Sequence, residues 1–359
     1  MKTVNIVVVG LHFGAHIVDG LMKQSAKGSR VRLVGVCDAD PVRLESVAAK
    51  HGLARFNSLD EVLANATVQA VGLFTGPVGR AALLRRIIKA GKDVMTTKPF
   101  ETDPDAAAAI LAEARLLGRV IHLNSPSPKV SDDIALLKKW ESEYHLGRPV
   151  GGYASSYVSY RETADGTWYD DPELCPVAPV LRLGIYLIND LVRIFGRASS
   201  VSTTQSRLFT GRPTADNASV TILFESGALA TVYSSFCIHD GNHYRNQLQV
   251  HYENGTVMRN VGTQRLPDDK TQMGVIQSVD NRGVLIDSAS VANVSGLYEW
   301  DTFAAAVCGE AGVPEYNDDD VVEPLRIIEA MKRSATTNAA APCRRPSRDP
   351  QTEEKSHEA

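Results

Sequence analysis

The chain has 359 residues, enough for two domains of ordinary size, and its 43% hydrophobic and 22% charged residues are a globular balance. A net charge of −4 argues against a nucleic-acid partner or an acidic membrane surface, and no apolar run reaches membrane-spanning length. The five cysteines (Cys37, Cys175, Cys237, Cys308 and Cys343) are scattered and odd in number, so neither a metal site nor a disulfide framework is expected.

The first residues, Met1-Lys2-Thr3-Val4-Asn5-Ile6, run straight into a strand with no apolar leader and cleavage site, and a cytoplasmic setting is expected. From residue 4 to about 123, short apolar runs at 4–9, 31–37, 70–74, 93–96 and 120–123 alternate with helical patterns at 41–51, 59–65, 79–90 and 103–117. Strands that are apolar on both faces, separated by helices, predict a doubly wound parallel sheet. Asp103 with Pro104 behind it reads as a helix start, and Gly91 as a helix stop.

The pattern changes after Asn124. Ser125-Pro126-Ser127-Pro128 is punctuation. A helix at 129–144 precedes strand-like runs at 152–160, 199–208, 218–224, 229–235, 247–252 and 256–260, and glycine turns between several of them predict a meander. A helix at 183–195 interrupts them, and helices near 297–307 and 321–334 close the unit. The expected division is a Rossmann domain at 1–124, an α/β domain with a largely antiparallel open sheet at 125–335, and a disordered tail at 336–359.

Three signals carry chemistry. Val9-Gly10-Leu11-His12-Phe13-Gly14-Ala15 follows the first strand and opens a helix, as a dinucleotide-binding turn does. Gly10 takes the first glycine place, His12 the second and Ala15 the third, with Gly14 in addition; the His12 side chain either crowds a pyrophosphate or donates to it. Asp38 ends the second strand, where a carboxylate accepts the ribose hydroxyls of NAD and repels the 2′-phosphate of NADP; Arg43 nearby leaves NADP open. Lys98 ends a strand, and Pro99 keeps it out of the helical region, so its ammonium projects from the carboxyl edge of the sheet, where ligands bind in this architecture. In the second domain Arg182, Tyr186 and Asn189 make one polar cluster on an otherwise apolar helix, and a tyrosine beside a cation can serve as a general acid or base.

Together these residues resemble the Gfo/Idh/MocA family of oxidoreductases, which act mainly on sugars, cyclitols and related polyols, over the stretch from Val4 to about Ser334. Thr97-Lys98-Pro99 matches the family's Glu-Lys-Pro, Thr75-Gly76-Pro77 its Thr-Pro turn, and Ala90-Gly91-Lys92-Asp93-Val94 its Ala-Gly-Lys-His-Val. Asn124 matches the Asn that ends the last Rossmann strand, and Trp168 with Asp171-Pro172 a Trp and an Asp-Pro upstream of a glycine-rich signature. That signature is altered: Arg182 replaces an Asp, Tyr186 the catalytic His and Asn189 the last Asp, while Arg80 stands where a His is common. A Gly-x-Tyr-x-x-Asn version is similar to the glucose–fructose oxidoreductase-like branch, where Tyr acts beside the Lys.

The resemblance implies hydride transfer between a nicotinamide cofactor and a sugar, sugar-acid or cyclitol-like substrate. Lys98 and Tyr186 are then catalytic; Gly10, His12, Phe13, Gly14, Asp38, Thr75, Lys98 and Asn124 hold NAD, with NADP not excluded. Arg182, Asn189 and Trp168 hold substrate, Arg182 suiting an anionic group on it. No metal is implied, and the open sheet implies a homodimer or homotetramer. The lost Glu, His and Asp leave an alternative, a non-catalytic cofactor-binding regulator or scaffold on the same fold.

Overall fold

The computed structural model describes residues 2–25, 28–239, 245–261, 273–292 and 296–346. Six strands, β1 (Val4–Val9), β2 (Val31–Cys37), β3 (Ala54–Phe56), β4 (Ala70–Leu73), β5 (Asp93–Thr96) and β6 (Ile121–Leu123), form one sheet in the order β3-β2-β1-β4-β5-β6. Every pairing in it is parallel. Helices α1 (Leu11–Ser25), α2 (Pro41–His51), α3 (Leu59–Ala64), α4 (Arg80–Lys89) and α5 (Pro104–Leu116) connect the strands. All of β4 and β5 is buried, which is why β4 reads as an unbroken apolar run and β5 is apolar between Asp93 and Thr96. The strand order reverses between β1 and β4, and the crevice at their carboxyl ends is where such a sheet binds its ligand.

Local chemistry sets the helix ends. Asp40 accepts the Val42 and Arg43 N–H groups with Pro41 at the first helical position, and Asp103 does the same for Asp105 and Ala106 ahead of Pro104. Since Asp40 caps α2, Asp38 is left for another task. The three-residue β3, Ala-Arg-Phe, carries no periodic signal and was not expected from sequence.

The second sheet has nine strands: β7 (Pro149–Tyr157), β8 (Ala198–Ser206), β9 (Asn217–Phe224), β10 (Leu229–Ser235), β11 (Arg245–Tyr252), β12 (Gly255–Val261), β13 (Met273–Asp280), β14 (Leu285–Ala292) and β15 (Ala341–Pro342). Their order is β14-β13-β12-β11-β7-β10-β9-β8-β15, antiparallel throughout except for β7 beside β10. Helix α6 (Asp132–Glu143) precedes it, and α7 (Ile185–Phe195) and α9 (Asp318–Thr337) cover its inner face. Helix α8 (Trp300–Val307) instead returns to the first domain, where Trp300, Phe303 and Ala304 join the core of Val4, Ile6, Val8 and Leu33. Among the described residues no helix is long and apolar enough to cross a membrane.

Two expectations are corrected here. β13 and β14 form an added hairpin whose Gln, Ser and Asp content hid it, and the tail is ordered up to residue 346. Helix α9 continues to Thr337, β15 pairs with β8, Cys343 is buried, and Arg345 bonds Glu323, which is itself buried. This segment is held by ion pairs and main-chain bonds and carries no apolar period. The remainder of the expected tail, 347–359, lies outside the described residues.

Candidate active site

A cleft of about 1480 Å³ opens at the carboxyl edge of the parallel sheet and continues between the two domains. Its first half is shaped for a dinucleotide. Gly10 has φ +87°, and a Cβ there would stand 3.0 Å from the carbonyl carbon and oxygen of Phe74; only glycine permits this close crossing of β1 and β4 ends. His12 and Phe13 line the cleft from the first turn of α1, which carries no acidic residue and whose N–H groups have no partner within the helix. That is a ready anion site for a pyrophosphate. The His12 side chain is exposed, so it leaves the turn uncrowded. Gly14 faces away from the cleft: a Cβ there would meet Val8 Cγ1 at 3.1 Å, so Gly14, and not Ala15, performs the helix–strand packing task.

Asp38 lies at the cleft edge with one oxygen, Oδ2, accepting the Leu11 N–H at 2.5 Å. Its Oδ1 accepts the Asp40 N–H at 2.8 Å and Arg43 Nη1 at 3.2 Å. Arg43 is further paired to Asp40 at 3.2 Å. Thr75 lines the cleft beyond β4. The cradle at Gly10, the free helix end and the carboxylate at the second strand together fit NAD.

The second half holds the charged centre. Lys98 stands at the end of β5, its N–H donating to Asn124 Oδ1 at 3.1 Å. Its ammonium donates to the carbonyl of Arg182 at 2.6 Å and sits 4.9 Å from the ring centroid of Tyr186. Burial, reinforced by the Arg182 charge, pulls the lysine down to a pKa of about 7. Asn124 also donates through Nδ2 to the carbonyl of Gly296 at 3.1 Å. Gly296 has φ +82°, and a Cβ there would meet Tyr186 Cε1 at 3.0 Å and the Tyr186 hydroxyl at 3.3 Å. The Gly296–Asp301 segment thus forms a wall that fixes Tyr186; from it Tyr298 donates to Thr97 Oγ1 at 2.8 Å.

Arg182 sits on an irregular, π-type turn (Val180–Gly184) leading into α7, and Tyr186 is the second residue of α7. Trp168 lines the cleft from a 3-10 turn, reaching to within 3.8 Å of where a Cβ on Gly76 would be. Two expected substrate ligands need correction. Asn189 is 3% exposed, lies behind the cleft wall and donates to Ser125 Oγ at 2.7 Å. Arg182 does line the cleft, but Nη1 and Nη2 both bond Glu162, at 2.6 and 2.8 Å, so its fork is already filled.

Sequence reasoning left Arg80 without a role and missed Gly296, Tyr298 and Glu162. Arg80 is 1% exposed and donates to the carbonyls of Thr75 (2.5 Å), Thr97 (2.7 Å), Phe100 (3.2 Å) and Pro99, stapling the loops after β4 and β5. Its sequence signals were an arginine at the start of an apolar helix and its place where the family commonly has a His. Gly296 and Glu162 carry no signal, because their meaning depends on contacts distant in sequence: Asn124 and Tyr186 for Gly296, Arg182 and Arg212 for Glu162.

Two family models match the chain: "Oxidoreductase family, NAD-binding Rossmann fold" over residues 4–125 and "GFO/IDH/MocA C-terminal domain" over 134–258. The chain belongs to the Gfo/Idh/MocA family of oxidoreductases. Its Rossmann domain is accordingly an NAD-binding one. An uncharacterized oxidoreductase of Schizosaccharomyces pombe is 29% identical over 41% of this chain, and the match spans 39% of that relative's length. Inositol 2-dehydrogenase 1 of Paenarthrobacter aurescens is 23% identical over 90% of this chain and 96% of its own. Among solved structures, the aldose–aldose oxidoreductase of Caulobacter crescentus, crystallised with glycerol, superposes with a TM-score of 0.71 at 19% identity, covering 95% of this chain and all of that one. That likeness is one of fold.

Proposed function

We propose that this family member is an NAD-dependent dehydrogenase or reductase acting on a CH–OH group of a sugar, sugar-acid or cyclitol-like substrate. The observation that carries the reading is the half-buried Lys98 ammonium over the Tyr186 ring, at the inner end of a cleft whose outer end fits a dinucleotide. Bound NAD supplies hydride acceptance and return at its nicotinamide.

The chain's own residues do the rest. Gly10 lets the main chain approach the pyrophosphate, with the N–H groups of the α1 first turn, at His12 and Phe13, facing its charge. Asp38 accepts from the adenosine ribose; a 2′-phosphate would face this carboxylate, and Arg43, the cation that could offset it, is already paired to Asp38 and Asp40. Thr75 and Trp168 border the nicotinamide end. Tyr186 moves the proton of the substrate hydroxyl. Lys98, with a pKa of about 7, exchanges a proton near neutrality and holds the hydroxyl oxygen. Asn124 sets the height of Lys98 through its N–H and, through Gly296, the position of Tyr186.

We infer in addition a homo-oligomer. Tyr153, Leu223 and Leu229 are exposed on the outer face of β7, β9 and β10, where Leu229 pairs directly with Leu223. An apolar sheet face of this kind is covered economically by a second copy.

The test is NADH formation across a panel of cyclitols, aldoses and sugar acids, with wild type and Tyr186→Phe. The variant is expected to lose about 10²–10⁴-fold in kcat while binding NADH as wild type does. Equal turnover by the variant would remove Tyr186 from the mechanism. Tight NADH binding with no turnover on any member would favour a regulator.

A further inference from the structure

Arg182 invites an anionic substrate, yet its surroundings argue the opposite. Its guanidinium bonds Glu162 through both terminal nitrogens and lies on the rings of Tyr169 (4.0 Å), Phe236 (4.8 Å) and Tyr160 (5.2 Å). The Arg182 side chain is only 11% exposed. Glu162 is shared with Arg212, whose Nε reaches it at 2.9 Å, and Arg212 bonds Asp165 at 2.8 Å and Asp170 at 2.5 Å. Two guanidinium groups thus meet three carboxylates, so this cluster of five side chains carries one surplus negative charge. Burial opposes ionisation of Glu162, but the hydrogen bonds and charges of Arg182 and Arg212 outweigh it and hold the carboxyl below its usual range.

The other arginines lining the cleft are engaged in the same way among the described residues, and Lys98 gives its ammonium to the Arg182 carbonyl and the reacting hydroxyl. Arg80 is given over to four main-chain carbonyls, Arg43 to Asp38 and Asp40, and Arg259 to Asp133, Asp190 and Asn246. A substrate carboxylate at Arg182 would have to displace Glu162, leaving that half-buried acid beside Arg212 alone and adding a second negative charge to the wall. The cleft lining here also includes Trp168, and an aromatic face buries the C–H surface of a sugar ring.

We propose that Glu162 sets substrate charge: by occupying Arg182 it makes the site select an uncharged polyhydroxylated ring, a cyclitol or unmodified sugar, over the corresponding acid or phosphate ester. This rests on the sugar-type reading above and narrows it.

The experiment measures equilibrium binding to the full chain saturated with NADH, by calorimetry, for the matched pairs D-glucose and D-glucuronate, and D-galactose and D-galacturonate. The neutral member is expected to bind at least about tenfold tighter in wild type, and Glu162→Gln to narrow that ratio by about tenfold by releasing Arg182. Wild type that binds the acid as well as or better than the neutral ring overturns the proposal, whatever the variant does. Because the wild-type ratio decides, a Glu162→Gln chain that does not fold leaves the test intact. A folded variant with an unchanged ratio also overturns the role of Glu162. NAD reduction is read separately on the same ligands: selective binding without turnover would sink the dehydrogenase reading and keep the charge assignment, and binding of neither member would sink both.

Discussion

The Lys98 ammonium donates to the main-chain carbonyl of Arg182 at 2.6 Å, joining the edge of the Rossmann sheet to the turn that feeds the Tyr186 helix. The bond uses a carbonyl, so the side chain at position 182 is free to differ while the lysine stays placed. It also takes one of the three ammonium protons and points the others toward the cleft, beside Tyr186.

Lys98 is therefore expected to govern the pH dependence. A base with a pKa of about 7 is unprotonated above that value, so alcohol oxidation rises with pH through about 7 and levels off, measured as kcat/KM in the NAD-reducing direction. The stability linkage has a definite sign. The unfolded chain binds a proton at this lysine up to its ordinary value of 10.5, while the folded chain gives it up from about 7, so between these values wild-type stability increases with pH. Lys98→Met removes the cost of a buried charge. The variant is expected to be inactive and to melt higher than wild type by a few degrees at neutral pH, the gap closing toward pH 10.

Gly296→Ala tests the placement of Tyr186. The new Cβ falls 3.0 Å from the ring at a φ of +82°, so the ring shifts by a few tenths of an ångström and the wall is strained. The expected outcome is a loss of about tenfold or more in kcat with little change in NADH affinity, and a stability cost of about 1 kcal/mol. A kcat equal to wild type would show that Tyr186 tolerates displacement.

Asp38→Ala removes the carboxylate proposed to accept from the ribose and leaves Arg43 paired to Asp40 alone. NADH affinity should fall, and the NADPH-to-NADH affinity ratio should rise by about tenfold or more, read by cofactor fluorescence titration. An unchanged ratio would mean that cofactor choice lies elsewhere.

Arg80→Met leaves four buried carbonyls without their donor. A loss of about 3 kcal/mol or more in urea unfolding is expected, with weakened NADH binding because the loops after β4 and β5 are no longer stapled. Arg80→Lys should recover only part of it, since an ammonium lacks the planar fork.

Much of this was legible in the sequence, for physical reasons. β1, β2 and β5 fall on their expected residues because strands covered on both faces are mostly apolar, with Asn5, Arg32, Asp93 and Thr96 as the exceptions. Gly10, Asp38 and Lys98, which the sequence marked, all line the cleft, because a close backbone crossing, a strand-end carboxylate and a strand-end cation each restrict the residue type. Asn189 misled because a helix period places residues on a face without saying whether that face meets solvent or the neighbouring loop; Ser125 claims it. Arg182 misled for a related reason, since an arginine read alone shows its charge and not its partner. Glu162, twenty residues earlier, lies in no periodic element, and the pairing exists only in the fold.

Helix α8 returns to the first sheet after the chain has built the second, so the polypeptide passes between the halves in more than one place. A single linker would let two lobes swivel about one point. Here the link through Ser125 and the returning stretch through Gly296 and Tyr298 both run beside the reacting centre, and the bond from Asn124 to Gly296 ties them to each other. A cut between residues 124 and 125 would not yield two self-sufficient pieces, because the leading fragment would lack Trp300 and Phe303 from its core. Cofactor and substrate must reach the centre through the mouth of an already braced frame, so turnover in this chain should be paced by traffic through that mouth more than by separation of the lobes.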